Sequence, residues 1–221
     1  FSLKDDSFDT MQVFVTNGSL NDCFEEFFPI CSQFDSIICS NDFAAVSLIK
    51  HLKERSPEAL SRIKIFSCAE TKLSEYYRDM ITSINMNFEN YGKAAVFIYE
   101  KLKAHTYMSN ITIKVDWNSK SKHSKPTSPI KLYSVKVDDG FYTDSEMRDM
   151  LTVEHILNIS NNSDRLIIKK LIEGIKMDEI AQECFLSENG VKYRIKRILQ
   201  ECNISGKDEL IKLCKTFLLN K

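Results

Sequence analysis

The sequence predicts an α/β fold, with a parallel-sheet unit first and an all-α region after it. Three observations predict this. Up to about residue 104, short apolar runs alternate with amphipathic helical patterns, the rhythm of strands joined by helical crossovers. Beyond a turn at 138 to 140 every apolar pattern has helical spacing. Between them, Asn118 to Pro129 (NSKSKHSKPTSP) is poor in apolar residues and carries two prolines, which marks a linker or surface loop.

Taken in order, MQVFV at 11 to 15 is the first strand candidate, and a helix is expected near 20 to 33. SIICS at 36 to 40 is the next strand, with a helix near 43 to 55 behind it. IKIFS at 63 to 67 follows Pro57 and leads into a polar helical stretch. ITSIN at 81 to 85, a helix near 88 to 104 and ITIKVDW at 111 to 117 complete the first part, with Trp117 covering a sheet edge. Past the loop, IKLYSVKV at 130 to 137 has strand character and DDG at 138 to 140 is a turn. Thr143 or Asp144 can then cap a helix near 144 to 157. Glu146 lies in its first turn, and Met147, Met150, Leu151 and Ile156 form its apolar side. We read it as a connector between domains. ISNNSD at 159 to 164 interrupts the pattern, and the helix begun by DRLIIKKLIEG stops at Gly174, a C-terminal cap. The last helix, near 207 to 219, carries apolar Leu210, Ile211, Leu213, Cys214, Phe217 and Leu218. The expected division is a sheet unit at 1–129, a connector at 130–160 and a helical domain at 161–221.

Length and composition, with 221 residues and 43% hydrophobic content, allow one large or two modest cores. The net charge of −1 excludes a polycation, but it is unevenly spread. From Asp164 to Lys221 there are 12 Lys and Arg against 9 Asp and Glu, a balance of +3, which leaves −4 for Phe1 to Ser163. Seven cysteines, odd in number and never spaced as C-x-x-C, suggest neither zinc site nor disulfide framework. The apolar settings of Cys39, Cys68, Cys202 and Cys214 fit reduced core thiols and a cytoplasmic location. No apolar run approaches the ~18 residues of a membrane span, so no membrane association is expected. A start at Phe1 rather than methionine suggests a longer parent chain.

No nucleophile motif, phosphate loop or cofactor signature is present, so the expectation is a binding protein with no cofactor and no metal, not an enzyme. His51, His105, His123 and His155 are expected at the surface. Phe24, Phe27, Phe28 and Phe34 form an aromatic run suited to core packing.

The most informative stretch is MDEIAQECFLSENGVKYRIKRILQ, Met177 to Gln200, which has the pattern of two short helices around a tight corner. Ile180, Ala181, Leu186, Val191, Ile195, Ile198 and Leu199 can close a small core. Ser187 can cap the second helix. Its exposed side would carry Asn189, Lys192, Tyr193, Lys196 and Arg197, a set of cations and amides suited to phosphates and base edges.

Residue by residue, the last 60 or so positions resemble the LuxR/NarL-type helix-turn-helix of bacterial transcription regulators. The matching features are Gly174, Glu179-Ile180-Ala181, Leu186-Ser187, Val191-Lys192, Ile198, Ile204 and Glu209-Leu210-Ile211. Gly190, Arg194 and Glu201 stand where that family has threonine, histidine and lysine, and its Leu-Thr-x-x-Glu opening is absent at Ser160 to Asp164. The resemblance implies a homodimer on double-stranded DNA, with the serine-opened helix in the major groove. Asn189, Lys192, Tyr193 and Lys196 would then face bases or phosphates, and Arg194, Arg197, Lys176 and Lys207 would hold the backbone. Leu210, Ile211, Cys214 and Phe217 would pair two protomers.

The stretch SIICSNDFAAVSLIKHLKE, with IKIFSCAETKLSEYY and ITSINMNFENYGKAAVFIYEKLK, resembles the effector domain of LacI-type regulators and periplasmic sugar-binding proteins, mainly its C-terminal lobe. The resemblance implies a small-molecule effector, held by Asn41 and Asp42 and by Glu70 in place of the family's second carboxylate. Capping of the helix near 43 to 55 by Asn41 or Asp42 is the competing role.

Overall fold

The computed structural model describes residues 12–14, 19–115 and 144–218. Three short strands, β1 (Ser36–Ile38), β2 (Lys64–Cys68) and β3 (Ile81–Ile84), form a parallel sheet in the order β1-β2-β3. Ile37 lies beside Ile65, and Ile65 beside Ile81. Each parallel step needs a crossover. The first is α2 (Asp42–Arg55) with α3 (Pro57–Arg62), where Pro57 stands in the first turn and its missing amide costs nothing. The second is the single turn α4 (Lys72–Glu75). Ahead of the sheet, Ser19 caps α1 (Leu20–Phe27), which continues as a 3-10 turn over Phe28–Gln33. The aromatic run behaves as expected, with Phe24 and Phe27 buried and Phe28 and Phe34 packed against the core.

α2 is the central helix. Ala45, Val46, Ser47, Ile49 and Leu52 are all fully enclosed, because the sheet covers one side of it and helices from the far end of the chain cover another. The chief of these is α6 (Ser145–Ile159), capped by Asp144. Met147, Met150, Val153 and Ile156 are wholly buried. Two carboxylates fasten it. Glu146 accepts from Ser47 Oγ at 2.6 Å and Lys50 Nζ at 2.7 Å on α2, and Glu154 accepts from the Lys72 and Leu73 amides at 2.9 and 2.7 Å, capping α4 from outside. The expected connector is therefore a core element, and one apolar cluster runs from Leu20 to Phe217.

The remaining helices are α7 (Asn162–Ile172), α8 (Met177–Glu183), α9 (Glu188–Glu201) and α10 (Lys207–Leu218). Three successive ends use one device. Gly174, Phe185 and Asn203 each adopt a left-handed conformation, and the next residue donates its amide back to Lys170, Ala181 or Leu199. Gly174 stops its helix as expected.

Several expectations differ from what is observed. Residues 12 to 14 and 111 to 115 form no strand, and α3 was not foreseen. The strand at 130 to 137, the turn at 138 to 140, Trp117, His123 and the 118 to 129 loop lie outside the described residues. α5 (Phe88–Ala104) forms as expected, yet none of its residues is buried. Among the described residues, no helix is long and apolar enough to cross a membrane.

Candidate nucleic-acid interface

Ser187 opens α9 in extended conformation and accepts from the Gly190 amide at 3.1 Å, as expected of a cap. The corner before it is held by the Phe185 and Leu186 amides, which bond to the Gln182 and Ala181 carbonyls. Val191, Ile195 and Ile198 then point inward against α8 and α7, alternating by four and three residues, so one side of α9 is committed to the core. The opposite side is open. Asn189, Lys192, Tyr193, Lys196 and Gln200 are exposed on it, and Tyr193 is 69% exposed. Lys192 meets Glu188 at 3.3 Å on the surface, a contact that solvent screens and a competing anion can displace. Lys176 and Lys207 are exposed at the start of α8 and α10.

Arg194 and Arg197 do something else. Their guanidinium groups converge on Asp164, which is fully buried, with one carboxylate oxygen at 2.8 Å from each. Asp164 also accepts from the Asn161 amide at 3.0 Å, while Asn161 Oδ1 accepts from the Asp164 amide, a reciprocal box at the start of α7. The expectation that Arg194 and Arg197 hold a nucleic-acid backbone is corrected. A buried carboxylate needs its charge matched, and these two arginines match it. Sequence reasoning passed over Asp164, yet it is the last residue of the window where the Leu-Thr-x-x-Glu opening was sought, a carboxylate one methylene shorter.

The expected protomer contact is also corrected for three of its four residues. Leu210, Cys214 and Phe217 lie in the chain's own core, in a helix packed on α6 and α7, and the Tyr77 hydroxyl donates to the Phe217 carbonyl at 2.9 Å. Burial pushes the Cys214 thiol up to about 12. Ile211 is only partly covered.

The expected effector residues cluster at the carboxyl ends of the strands, where open α/β sheets present ligands. Asn41 caps α2 by accepting from the Ala44 amide at 2.9 Å. Asp42 is wholly buried and serves as a hub. It accepts from Ser67 Oγ at 2.5 Å, Ser83 Oγ at 2.6 Å, the Thr71 amide at 2.7 Å and Thr71 Oγ1 at 3.0 Å. An ionised carboxylate has about four acceptor positions, so none is left for a ligand. This corrects its expected role and brings in Ser67, Thr71 and Ser83, which sequence reasoning missed because they come from three separate segments. Glu70 is exposed, in the left-handed region, and accepts from Asn85. Burial and, secondarily, the charge of nearby groups push the Cys39 thiol up to about 12.

No cluster of metal-ligating side chains occurs among the described residues. Comparison with protein-family models, with curated proteins and with solved structures gives no match to this chain.

Proposed function

We propose that this protein is a DNA-binding transcription regulator of the cytoplasm, in which α8 and α9 form a helix-turn-helix of LuxR/NarL type and α9 enters the major groove of double-stranded DNA. The observation that carries this reading is the division of labour on α9. Its arginines are spent on Asp164, whereas Asn189, Lys192, Tyr193 and Lys196 are presented together on the outer face. Amide and ammonium groups on one helical face suit base edges and phosphates. Lys176 and Lys207 extend the phosphate-holding set.

The sheet unit serves as the sensor, a LacI-type or periplasmic-binding-protein-like lobe that takes a small molecule or a partner. Of its candidate residues, Glu70 offers an open side chain. Coupling runs through α6, since Glu146 and Glu154 fasten it to α2 and α4 while its apolar side packs with α10. A protomer pair would set the spacing of two reading helices on a pseudo-palindromic site.

A second reading, a protein-docking module, draws on Phe185, which stands 95% exposed in the corner between α8 and α9. Salt dependence separates the two. Fluorescence polarisation with a random-duplex pool at low and raised salt should show binding that falls steeply as salt rises, and Lys192→Ala/Lys196→Ala should abolish it. Absence of binding at low salt overturns the DNA reading in favour of docking.

A further inference from the structure

Val191, Ile195 and Ile198 commit one side of α9 to the core, and that fixes which side chains stand furthest from it. At about 100° per residue, Asn189, Tyr193 and Gln200 fall opposite those three, on the crest of the helix. Lys196 lies just off the crest. Lys192 lies about a quarter turn round, where its ammonium meets Glu188 at 3.3 Å. A helix about 10 to 12 Å across nearly fills a major groove about 12 Å wide, so its crest faces base edges and its flanks face the phosphates on either wall. Base contacts come from the N-terminal part of such a helix, which favours Asn189, in the first turn of α9, over Gln200, about 16 Å further along the axis.

Asn189 is exposed and available. Ser187 is occupied with the Gly190 amide and Lys192 with Glu188, whereas the Asn189 side chain bonds to no other described residue. A carboxamide sets a donor beside an acceptor. In the major groove only adenine answers with an acceptor and a donor on one base, N7 and the N6 amino group, while guanine offers two acceptors and suits a cation. The Tyr193 ring, 69% exposed and next along the crest, suits the methyl group of thymine. We propose that Asn189 is the side chain of α9 that selects a base, pairing with N6 and N7 of an adenine, an assignment that rests on the DNA-binding reading of this helix. The lysines then hold phosphates, which sets affinity without selecting sequence.

The test is repeated selection from a random-duplex pool by the full chain, wild type and Asn189→Ala, followed by polarisation titrations on the enriched duplex with single adenines replaced by 7-deazaadenine, which lacks the N7 acceptor. The wild type should enrich a half-site containing one adenine whose replacement weakens binding about tenfold. Asn189→Ala should be indifferent to that replacement, yet bind the unselected pool with the wild-type affinity and salt dependence. An Asn189→Ala protein that enriches the same half-site, or that keeps the sensitivity to 7-deazaadenine, overturns the assignment. A wild type sensitive only to 7-deazaguanine, with the sensitivity lost in Lys192→Ala, overturns it in favour of a lysine reading guanine. A wild type that does not bind the unselected pool overturns the DNA-binding reading and this assignment with it, whereas the other failures leave that reading intact.

Discussion

The Tyr77 hydroxyl donates to the carbonyl oxygen of Phe217 at 2.9 Å, joining the turn between α4 and β3 to the last helix across 140 positions of sequence. Both residues are 1% exposed. The bond therefore lies inside the contact between the sheet unit and the helical region.

Tyr77→Phe keeps the ring and removes the donor. Leaving a buried carbonyl with one partner fewer should cost about 1 to 2 kcal/mol, measured by urea denaturation. Since one core spans both parts of the chain, far-UV and near-UV signals should still change together in one transition.

Asp164→Asn should cost more, about 3 kcal/mol, because it leaves two guanidinium groups facing a neutral side chain. Arg194→Met should cost less than Asp164→Asn, since Arg197 still balances the carboxylate and both arginines are partly solvated, at 28 and 33% exposure. Thermal melts of the two variants check the order.

Gly190 sits in the first turn of α9 with no positive φ, and an added Cβ would come to 3.4 Å from Ser187 Oγ and 3.8 Å from Leu186 Cβ. The space accepts a methyl group. Gly190→Ala should raise stability by up to ~1 kcal/mol through helix propensity, read as an increased urea midpoint.

Burial pulls the Glu146 carboxyl upward, but hydrogen bonds from Lys50 and Ser47 outweigh it and hold the group below the ordinary glutamate value. The unfolded chain then takes up this proton more readily than the folded one. Its contribution is complete above about pH 5 and is lost as the pH falls through the carboxylate range. Glu146→Gln should lower stability near neutrality and flatten the acid limb of a stability profile measured by denaturation at successive pH values.

Much of the local structure was legible in the chain. β1 and β3 fall within the runs SIICS and ITSIN, β2 overlaps IKIFS and extends one residue beyond it to Cys68, and the caps at Asn41, Asp144, Gly174 and Ser187 fall where short polar or flexible residues stand beside apolar periodicity. These features depend on neighbours a few residues apart, which is the range over which sequence pattern and capping chemistry act. The outer face of α9 was legible for the same reason, since helical spacing separates Lys192 and Lys196 from Val191 and Ile195. What Asp42, Asp164, Arg194, Arg197, Leu210, Cys214 and Phe217 do was decided only by the tertiary structure. A carboxylate in a sequence can grip a ligand or satisfy hydroxyls, and an apolar stripe can face a partner or its own core. Which occurs depends on the groups that long-range packing brings alongside: Ser67, Thr71 and Ser83 for Asp42, two arginines about 30 residues away for Asp164, and Tyr77 with α6 for the last helix. Burial makes an unmatched charge or polar group costly, so the fold, more than the local pattern, assigned these side chains to the interior.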